Sequence, residues 1–558
     1  MSIIHNGQQI PEDFNILLEK WKYKTVFGEE KAEKPSYCVF NNTSKALEML
    51  NKHIFNNSKM VLDTDVDVDG VGTTYIMKKV LNSLGATNQV LLINQEKVHG
   101  IQQKHVDYFN KNKIDLLIIT DSSSNEIELI KQFNCDVLCI DHHELLHRDL
   151  DGKCLDGIHE YVIVNNTIDN INQKVDNLWL QSKNISAFKN LEEYKGCPDM
   201  SCGLVVYELL RLYCECFANP KLIENLMLYQ WAAITLFTDA ICTLNNRNQW
   251  YLDNTVFSQN TEASLKIMMN TINKFKASLD KSYIQYSFAP LINKAIRAGK
   301  SSDAADKVIN HPGNIMDLQC YNGMQTEAID KATKVQVKDQ FGDITVGPRL
   351  FNTETIMLDI SKLGIHPNYA GVIASRLCGD NNKNAAVFIR LEDGTCKGSF
   401  RGKYGFVDYR KYFADYSDDI YAQGHPPAFG FKLREEQLTE IMNNIKNIEP
   451  SGDVKPFITL GNMTADEYGE YHITDINEFK RLGYIWKIAT GNSKVASNDE
   501  IVIVVKACDV VLKTIKGKLF YYDALGLECK AFNRLSGNYF DIYIEYTNEI
   551  NMYIRNHK

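Results

Sequence analysis

The 558-residue sequence carries the segment D-T-D-V-D-V-D-G, in which Asp63, Asp65, Asp67 and Asp69 alternate up to Gly70. Four carboxylates this close repel one another strongly unless cations neutralise them, and oxygen donors at this density suit Mg²⁺ or Mn²⁺. Alone, the run also reads as a solvated acidic turn. An EF-hand loop is excluded, because a buried-strand pattern precedes the run and no Glu closes it twelve positions on. Further along, Asp121 ends the apolar run IDLLIIT, Asp141-His142-His143 ends DVLCI, and Asp239 follows WAAITLFT. A single carboxylate after an apolar run is ordinarily a helix cap or turn residue, and a lone His pair a surface or satisfied core feature. The joint pattern is different. It fits two hard cations a few ångströms apart, bridged by one carboxylate and activating water for attack on phosphorus.

Such residues need a frame that brings strand ends together. The runs KMVLD (59–63), QVLLIN (89–94), DLLIIT (115–120) and DVLCI (136–140) are almost continuously apolar, as strands of a parallel sheet covered on both faces must be. Helical spacing between them gives βαβ architecture, and open α/β sheets place their sites at the carboxyl ends of the strands. The fold class expected is α/β, in three domains and a connector. Residues 1–300 form the parallel-sheet catalytic domain, with an extension over 1–58, and 301–349 a helical connector. Residues 350–440 form a mixed α/β substrate-binding domain, and 441–558 a β-rich, OB-like domain.

Composition limits the class of protein. A hydrophobic share of 44% and a charged share of 23% exclude wholesale disorder. The net charge of -9, from 70 acids against 61 bases, excludes a uniformly basic nucleic-acid binder. Its distribution is uneven. Residues 61–149 hold fourteen acids and eight bases, whereas 361–411 hold nine Lys/Arg against four acids. An acidic metal floor opposite a basic wall suits a polyanion. The fourteen cysteines include no CxxC pair and read as reduced core thiols. No signal peptide and no membrane-length apolar run is seen, so a soluble cytoplasmic protein without membrane contact is expected.

Taken in order, DVDVDG, LLIITD, CIDHH and LFTDAI resemble the four motifs of the DHH phosphoesterase superfamily. LFTDAICTLNNRN and PLINKAIRAG resemble segments of its RecJ branch, and HPNYAGVIASRL, KGSFRG and QGHPPAFG resemble its DHHA1-type second domain. The likeness spans roughly residues 59–435. It implies that Asp65 and Asp67 each serve one metal, that Asp121 bridges both, and that His142 and Asp239 complete the second site. His143 would contact the scissile phosphate, with Asp141 orienting the histidine pair. Asp63 stands near the place of a histidine found in many members, which implies an additional oxygen ligand. Arg297, Ser399 and Arg401 would hold a 5′-phosphate, with Asn293 and Arg376 in the same binding set, and His425 would sit near the scissile group. Two departures, Gln423 and Ile296 in place of glycines, touch the substrate contacts.

The resemblance implies a two-metal, 5′-to-3′ single-stranded-DNA exonuclease that uses Mn²⁺ or Mg²⁺ and releases mononucleotides. Its partners would be single-stranded nucleic acid, DNA favoured, and a helicase or single-strand-binding protein. One alternative is a phosphodiesterase for short oligonucleotides, cyclic dinucleotides or phosphoadenosine phosphate, although such relatives are usually shorter chains. Another is a metal-free replication or repair scaffold, against which the intact Asp and His set argues. An inorganic pyrophosphatase has no need of the basic motifs. In the last block, Tyr484, Trp486, Phe520, Tyr521, Tyr522 and Phe532 suit either base stacking or a plain core.

Overall fold

The computed structural model describes residues 34–334 except 94–99, 171, 184–199, 240, 242–245, 257–259 and 273–283, and residues 355–445 except 382, 403–408, 415–420 and 426–427. Elsewhere it describes strands at 2–5, 8–9, 337–338, 344–346, 349–351, 457–459, 502–504, 511–515, 518–522, 528–532, 540–546 and 550–556. The chain divides into two compact units. One is Ala32–Asn322, and the other is discontinuous, Met1–Lys31 with Gly323–Lys558.

In the first unit, strands β1 (Met60–Thr64), β2 (Gln89–Ile93), β3 (Leu116–Thr120), β4 (Asp136–Asp141), β5 (Asp151–Lys153) and β6 (Glu160–Asn165) form one sheet in the order β2-β1-β3-β4-β6-β5. All neighbours are parallel except the β5–β6 hairpin. Strand alternation sends Leu116 and Ile118 into one core and Leu117 and Ile119 into another, all fully buried. This is why the runs are apolar at every position rather than at alternate ones. Helices α1 (Thr43–Phe55), α2 (Val68–Ser83), α4 (Cys202–Phe217) and α5 (Tyr229–Thr238) supply the first core, and α3 (Gln103–Asn112) supplies the second. The helices α2, α4 and α5 meet around Thr235, where a Cβ on Gly203 would lie 2.4 Å from the Thr235 hydroxyl oxygen and one on Gly72 would lie 2.9 Å from its methyl. Only glycine allows that approach.

Residues expected as a connector begin inside this unit. Ala304, Ala305, Val308 and Ile309 of helix α7 (Ser301–Ile309), with Ile315 and Leu318, are buried in the first core beside helix α6 (Ala289–Arg297). The unit therefore ends near residue 322, later than the sequence boundary, because the apolar positions of α7 repeat at helical spacing and need a core to enter.

At the amino end of the sheet, Asp136 accepts hydrogen bonds from His53 Nε2 (2.9 Å), Lys52 Nζ (2.7 Å) and the Glu160 N–H (3.0 Å). Burial alone would raise its pKa, but these donors outweigh burial and hold the carboxyl well below its ordinary 3.8. A depressed carboxylate stabilises the fold above its unfolded pKa, and that stability is lost as pH falls through the folded one. Asp136→Asn is expected to cost about 2 kcal/mol at neutral pH. In urea denaturation the gap from wild type should narrow below about pH 4.

The second unit holds strands β7 (Arg349–Phe351), β8 (Thr355–Asp359), β9 (Asn384–Arg390), β10 (Thr395–Arg401), β11 (Tyr421–His425) and β12 (Ala428–Arg434), in the order β7-β8-β9-β10-β12-β11. The β8–β9 pair is parallel and is connected through α8 (Ala370–Asn381), and the other pairs are antiparallel. An aromatic core of Phe388, Phe400, Tyr409, Phe413, Phe429 and Phe431 is closed by Leu438, Ile441, Met442 and Ile445 of helix α9 (Glu435–Ile445).

Residues 1–58 are expected from the sequence to extend the catalytic domain, but their first strand belongs to the other unit. Ser2–His5 pairs antiparallel with Phe457–Thr459. A four-residue strand carries no local mark of its partner, since ladder bonds are made by backbone. The β-rich end is formed by two further groups of strands. Phe457–Thr459, Val502–Val504, Phe540–Tyr546 and Ile550–Asn556 share a sheet with the N-terminal strands, and Val511–Ile515, Lys518–Tyr522 and Glu528–Phe532 form another. Tyr484 and Trp486 lie outside the described residues. The ten cysteines whose side chains are described are free, and among the described residues no helix is long and apolar enough to cross a membrane.

Candidate metal centre and phosphate site

The acidic run turns from strand to helix. Asp63 lies in the fully buried strand β1, Asp65 in the turn, and Asp67 is the N-cap of α2, its carboxylate accepting the Gly70 N–H at 2.9 Å. Gly70 is required there, because a Cβ would lie 2.8 Å from both the Cβ and the carbonyl oxygen of Asp65. Asp121 follows β3 with φ 68°, in the left-handed region that a non-glycine residue occupies only when its surroundings impose it. Its N–H donates to the Ile140 carbonyl at 3.0 Å, which ties the turn after β3 to β4.

These turns bring the side chains together. Ligand atoms of Asp65, Asp67 and Asp121 lie within 4.8 Å of one another, as do those of Asp121, His142 and His143, and those of Asp69, His142 and Asp239. His142 Nε2 lies 3.1 Å from Asp121 Oδ1 and 3.4 Å from Asp239 Oδ2. Asp239 is the C-cap of α5. Asp69 joins the His142 group although the family resemblance gives it no ligand role of its own; its place in D-V-D-G, beside Asp67, was the available signal. Asp63 is outside the three groups, but it is buried beside Asp65, and burial followed by the Asp65 charge pushes its carboxyl up to about 7. His53, the nearest histidine upstream, is bound to Asp136 at the other end of the sheet.

Acceptors here face acceptors. The ring N–H of His142 at Nδ1 donates to the Met200 carbonyl at 3.1 Å, so Nε2 presents its lone pair to the carboxylates. Asp63 Oδ1, Asp121 Oδ1, His142 Nε2 and Asp239 Oδ2 are all buried without a hydrogen-bond donor. Burial first, then the charges of Asp69, Asp67, Asp65 and Asp239, drive the Asp121 carboxyl far above its ordinary range. Burial likewise lowers His142. A set of oxygens with one imidazole nitrogen, orphaned and convergent, fits a hard divalent cation.

Asp141 organises the histidine pair. Its Oδ1 accepts the His142 N–H at 2.7 Å, the His143 N–H at 3.3 Å and His143 Nδ1–H at 2.7 Å. Its Oδ2 accepts the Ser124 hydroxyl at 2.6 Å and the Ser124 N–H at 3.2 Å. Burial opposes the charge of Asp141, yet the charge and hydrogen bond of His143 overcome it and hold the carboxyl far below its usual range. Burial likewise opposes protonation of His143, yet Asp141 pushes that imidazole up to about 10. Its ring is 38% exposed, so solvent softens the attraction. Ser124 and the Met200 carbonyl escape sequence reasoning. Ser124 has only the D-S-S-S spacing after Asp121 as a signal, and a backbone carbonyl has none.

The expected phosphate-binding residues are divided between the units. Asn293 and Arg297 lie one turn apart on α6 of the first unit. Ser399 and Arg401 lie in the second unit, two apart on β10 and so on one face of the strand. Both converge on the first turn of α8, where a Cβ on Gly371 would lie 2.9 Å from Arg401 Nη2 and 3.4 Å from Ser399 Oγ. Arg401 Nε donates to Ser375 Oγ at 3.0 Å. Arg376, on the same helix, is exposed and paired with Asp380 at 2.7 Å. His425 ends β11.

Residues 59–162 match the DHH family, N-terminal domain. A Bacillus subtilis (strain 168) protein named as a putative SPbeta prophage-derived single-strand DNA-specific exonuclease, YorK, is 23% identical over 447 residues, covering 74% of this chain and 69% of that protein. RecJ from Thermus thermophilus in complex with Mn²⁺ superposes with a TM-score of 0.65 at 13% identity, over 100% of this chain and 78% of that one. A second structure, exonuclease RecJ bound to manganese, gives a TM-score of 0.50 at 16% identity, over 74% of this chain and 97% of that one. Residues 59–162 thus match the N-terminal domain of the DHH family, in a chain whose fold is similar to that of RecJ.

Proposed function

We propose that this chain is a metal-dependent phosphodiester hydrolase of the DHH family, acting as a single-strand DNA exonuclease from the 5′ end and releasing mononucleotides. The observation that carries the reading is the convergence of donorless oxygens and His142 Nε2 at the carboxyl ends of β1, β3 and β4. Relatives named for single-strand DNA exonuclease activity and RecJ structures holding Mn²⁺ or Mg²⁺ support it. Two divalent cations held by Asp65, Asp67, Asp69, Asp121, His142 and Asp239, with Asp63 adjoining, would lower the pKa of water and offset charge developing on phosphorus.

The chain's own residues supply the rest. Protonated His143, oriented by Asp141, offers a cationic donor to a phosphate oxygen. Ser399 and Arg401, beside the amide end of α8, suit a terminal phosphate, with Asn293, Arg297, Arg376 and His425 as further substrate contacts. The β-rich end is read as an OB-like strand-binding module, and a helicase or single-strand-binding protein as the macromolecular partner.

The test is a polarity assay with Mn²⁺ on labelled single strands bearing 5′-phosphate, 5′-hydroxyl or blocked 3′ ends, in DNA and RNA. Mononucleotide release from 3′-blocked DNA is expected. Release only from free 3′ ends, or preference for dinucleotides over 20-mers, would sink the reading. In the same assay Arg401→Ala should raise KM about 10-fold or more for 5′-phosphorylated substrate and leave 5′-hydroxyl substrate nearly unchanged.

A further inference from the structure

Both oxygens of Asp69 are engaged by the backbone of a distant helix. Oδ2 accepts the Cys202 N–H at 2.9 Å. Oδ1 accepts the Gly203 N–H at 3.0 Å and the Thr73 hydroxyl at 3.1 Å. Cys202 and Gly203 are the first two residues of α4, whose opening N–H groups have no acceptor within the helix. A buried carboxylate at that point also faces the positive end of the helix dipole. Two residues before α4 stands Met200, whose carbonyl accepts His142 Nδ1–H. A chain of direct contacts therefore runs from Asp69 to the start of α4, to the Met200 carbonyl, to the imidazole whose Nε2 faces Asp121 and Asp239.

We propose that Asp69 is a positioning residue for His142: it fixes the start of α4, and thereby the tautomer and aim of the imidazole. This role is separate from any bond that Asp69 makes to a cation. Its Oδ2 lies 3.9 Å from His142 Nε2, so the side chain faces the metal group while its amide contacts hold α4 in place. A ligand's aim is set by what holds its second nitrogen, and here that holder is a carbonyl whose place depends on Asp69. The proposal rests on the metal-centre reading above.

The experiment uses the full chain and two readouts: Mn²⁺ affinity by calorimetry, and the ¹⁵N shifts of the His142 ring in metal-free protein. Asp69→Asn can accept only one of the two amides and should weaken Mn²⁺ binding by about 10- to 100-fold. It should also let the Nε2–H tautomer of His142 appear without metal, which loss of a ligand alone would not cause. A second variant removes one amide without touching the carboxylate. Proline is tolerated at the first helical position, and Ser201, at φ -75° and ψ 161°, already has the conformation of a residue before proline. Cys202→Pro should weaken Mn²⁺ binding and shift the His142 ring, while Cys202→Ala, which keeps the amide, should stay within about twofold of wild type. If Asp69→Asn does not fold, the proline and alanine pair decides. Wild-type affinity and wild-type His142 shifts in Cys202→Pro, or equal losses in both Cys202 variants, would overturn the proposal. Wild-type protein that binds no Mn²⁺ would overturn the metal-centre reading instead, and the metal-free ring shifts would still decide the role of Asp69.

Discussion

Asp121→Asn is expected to abolish turnover while raising the melting temperature of the metal-free protein. Asp121 shares one group with Asp65 and Asp67 and another with His142 and His143, so its loss removes the residue common to both. A rate loss of at least about 10³-fold should follow, with no compensating change in KM. Without metal, the same substitution puts a neutral amide in place of a carboxyl whose charge is disfavoured by burial and by Asp69, Asp67, Asp65 and Asp239. Asparagine also tolerates the left-handed backbone at this position better than alanine would. A gain of about 1 kcal/mol in the absence of Mn²⁺ is the expected sign and scale. Saturating Mn²⁺ should stabilise wild type by about 2.7 kcal/mol at a hundredfold excess over Kd, and the variant by much less. Thermal melts with and without Mn²⁺, beside the exonuclease assay, measure all three. A variant that melts lower than wild type without metal would mean that the cluster is not strained by its own charge.

Asp141→Asn should act in the opposite sense on stability. Its carboxylate collects five donors from Ser124, His142 and His143, and an amide can satisfy only some of them. A cost of about 2–4 kcal/mol is expected, together with a 10- to 100-fold loss of Mn²⁺ affinity through the freed histidines. The pH dependence follows from His143, whose pKa is raised from 6.5 to about 10. A raised imidazole contributes stability that is complete below about pH 6.5 and is lost as pH rises through about 10. The stability gap between wild type and Asp141→Asn should therefore shrink over that window. Urea titrations at pH 6, 8 and 10 test it, and a gap constant across that range would deny the His143–Asp141 pairing an electrostatic role.

Much of the site is legible in the sequence because its parts are local. Continuous apolar runs announce strands buried on both faces, and Asp121, Asp141 and His142 stand at or just past the ends of those strands. Asp239 is legible as a carboxylate at the end of an apolar helix. What escapes is whatever depends on a backbone partner elsewhere. The amides of Cys202 and Gly203 that hold Asp69, and the Met200 carbonyl that sets His142, have no side-chain signature. The unit boundaries escape for a related reason. Helix α7 reads as polar linker until Val308 and Ile309 are seen to enter a core built mostly from residues far earlier in the chain.

The strand Ser2–His5 and its partner Phe457–Thr459 are separated by about 450 residues, and the unit Ala32–Asn322 lies wholly between them. At roughly 5–20 residues per second, a ribosome takes about 20–90 s to bridge that interval. The nested unit can complete its core during that wait, while Ser2, Ile3 and Ile4 still lack their partners in Phe457–Thr459. Order of emergence thus places assembly of the metal centre before assembly of the outer unit. Refolding from denaturant has no such schedule, since both ends of the chain are available at once. A slow phase seen in refolding and missing in synthesis would trace to this insertion of one unit within the sequence of the other.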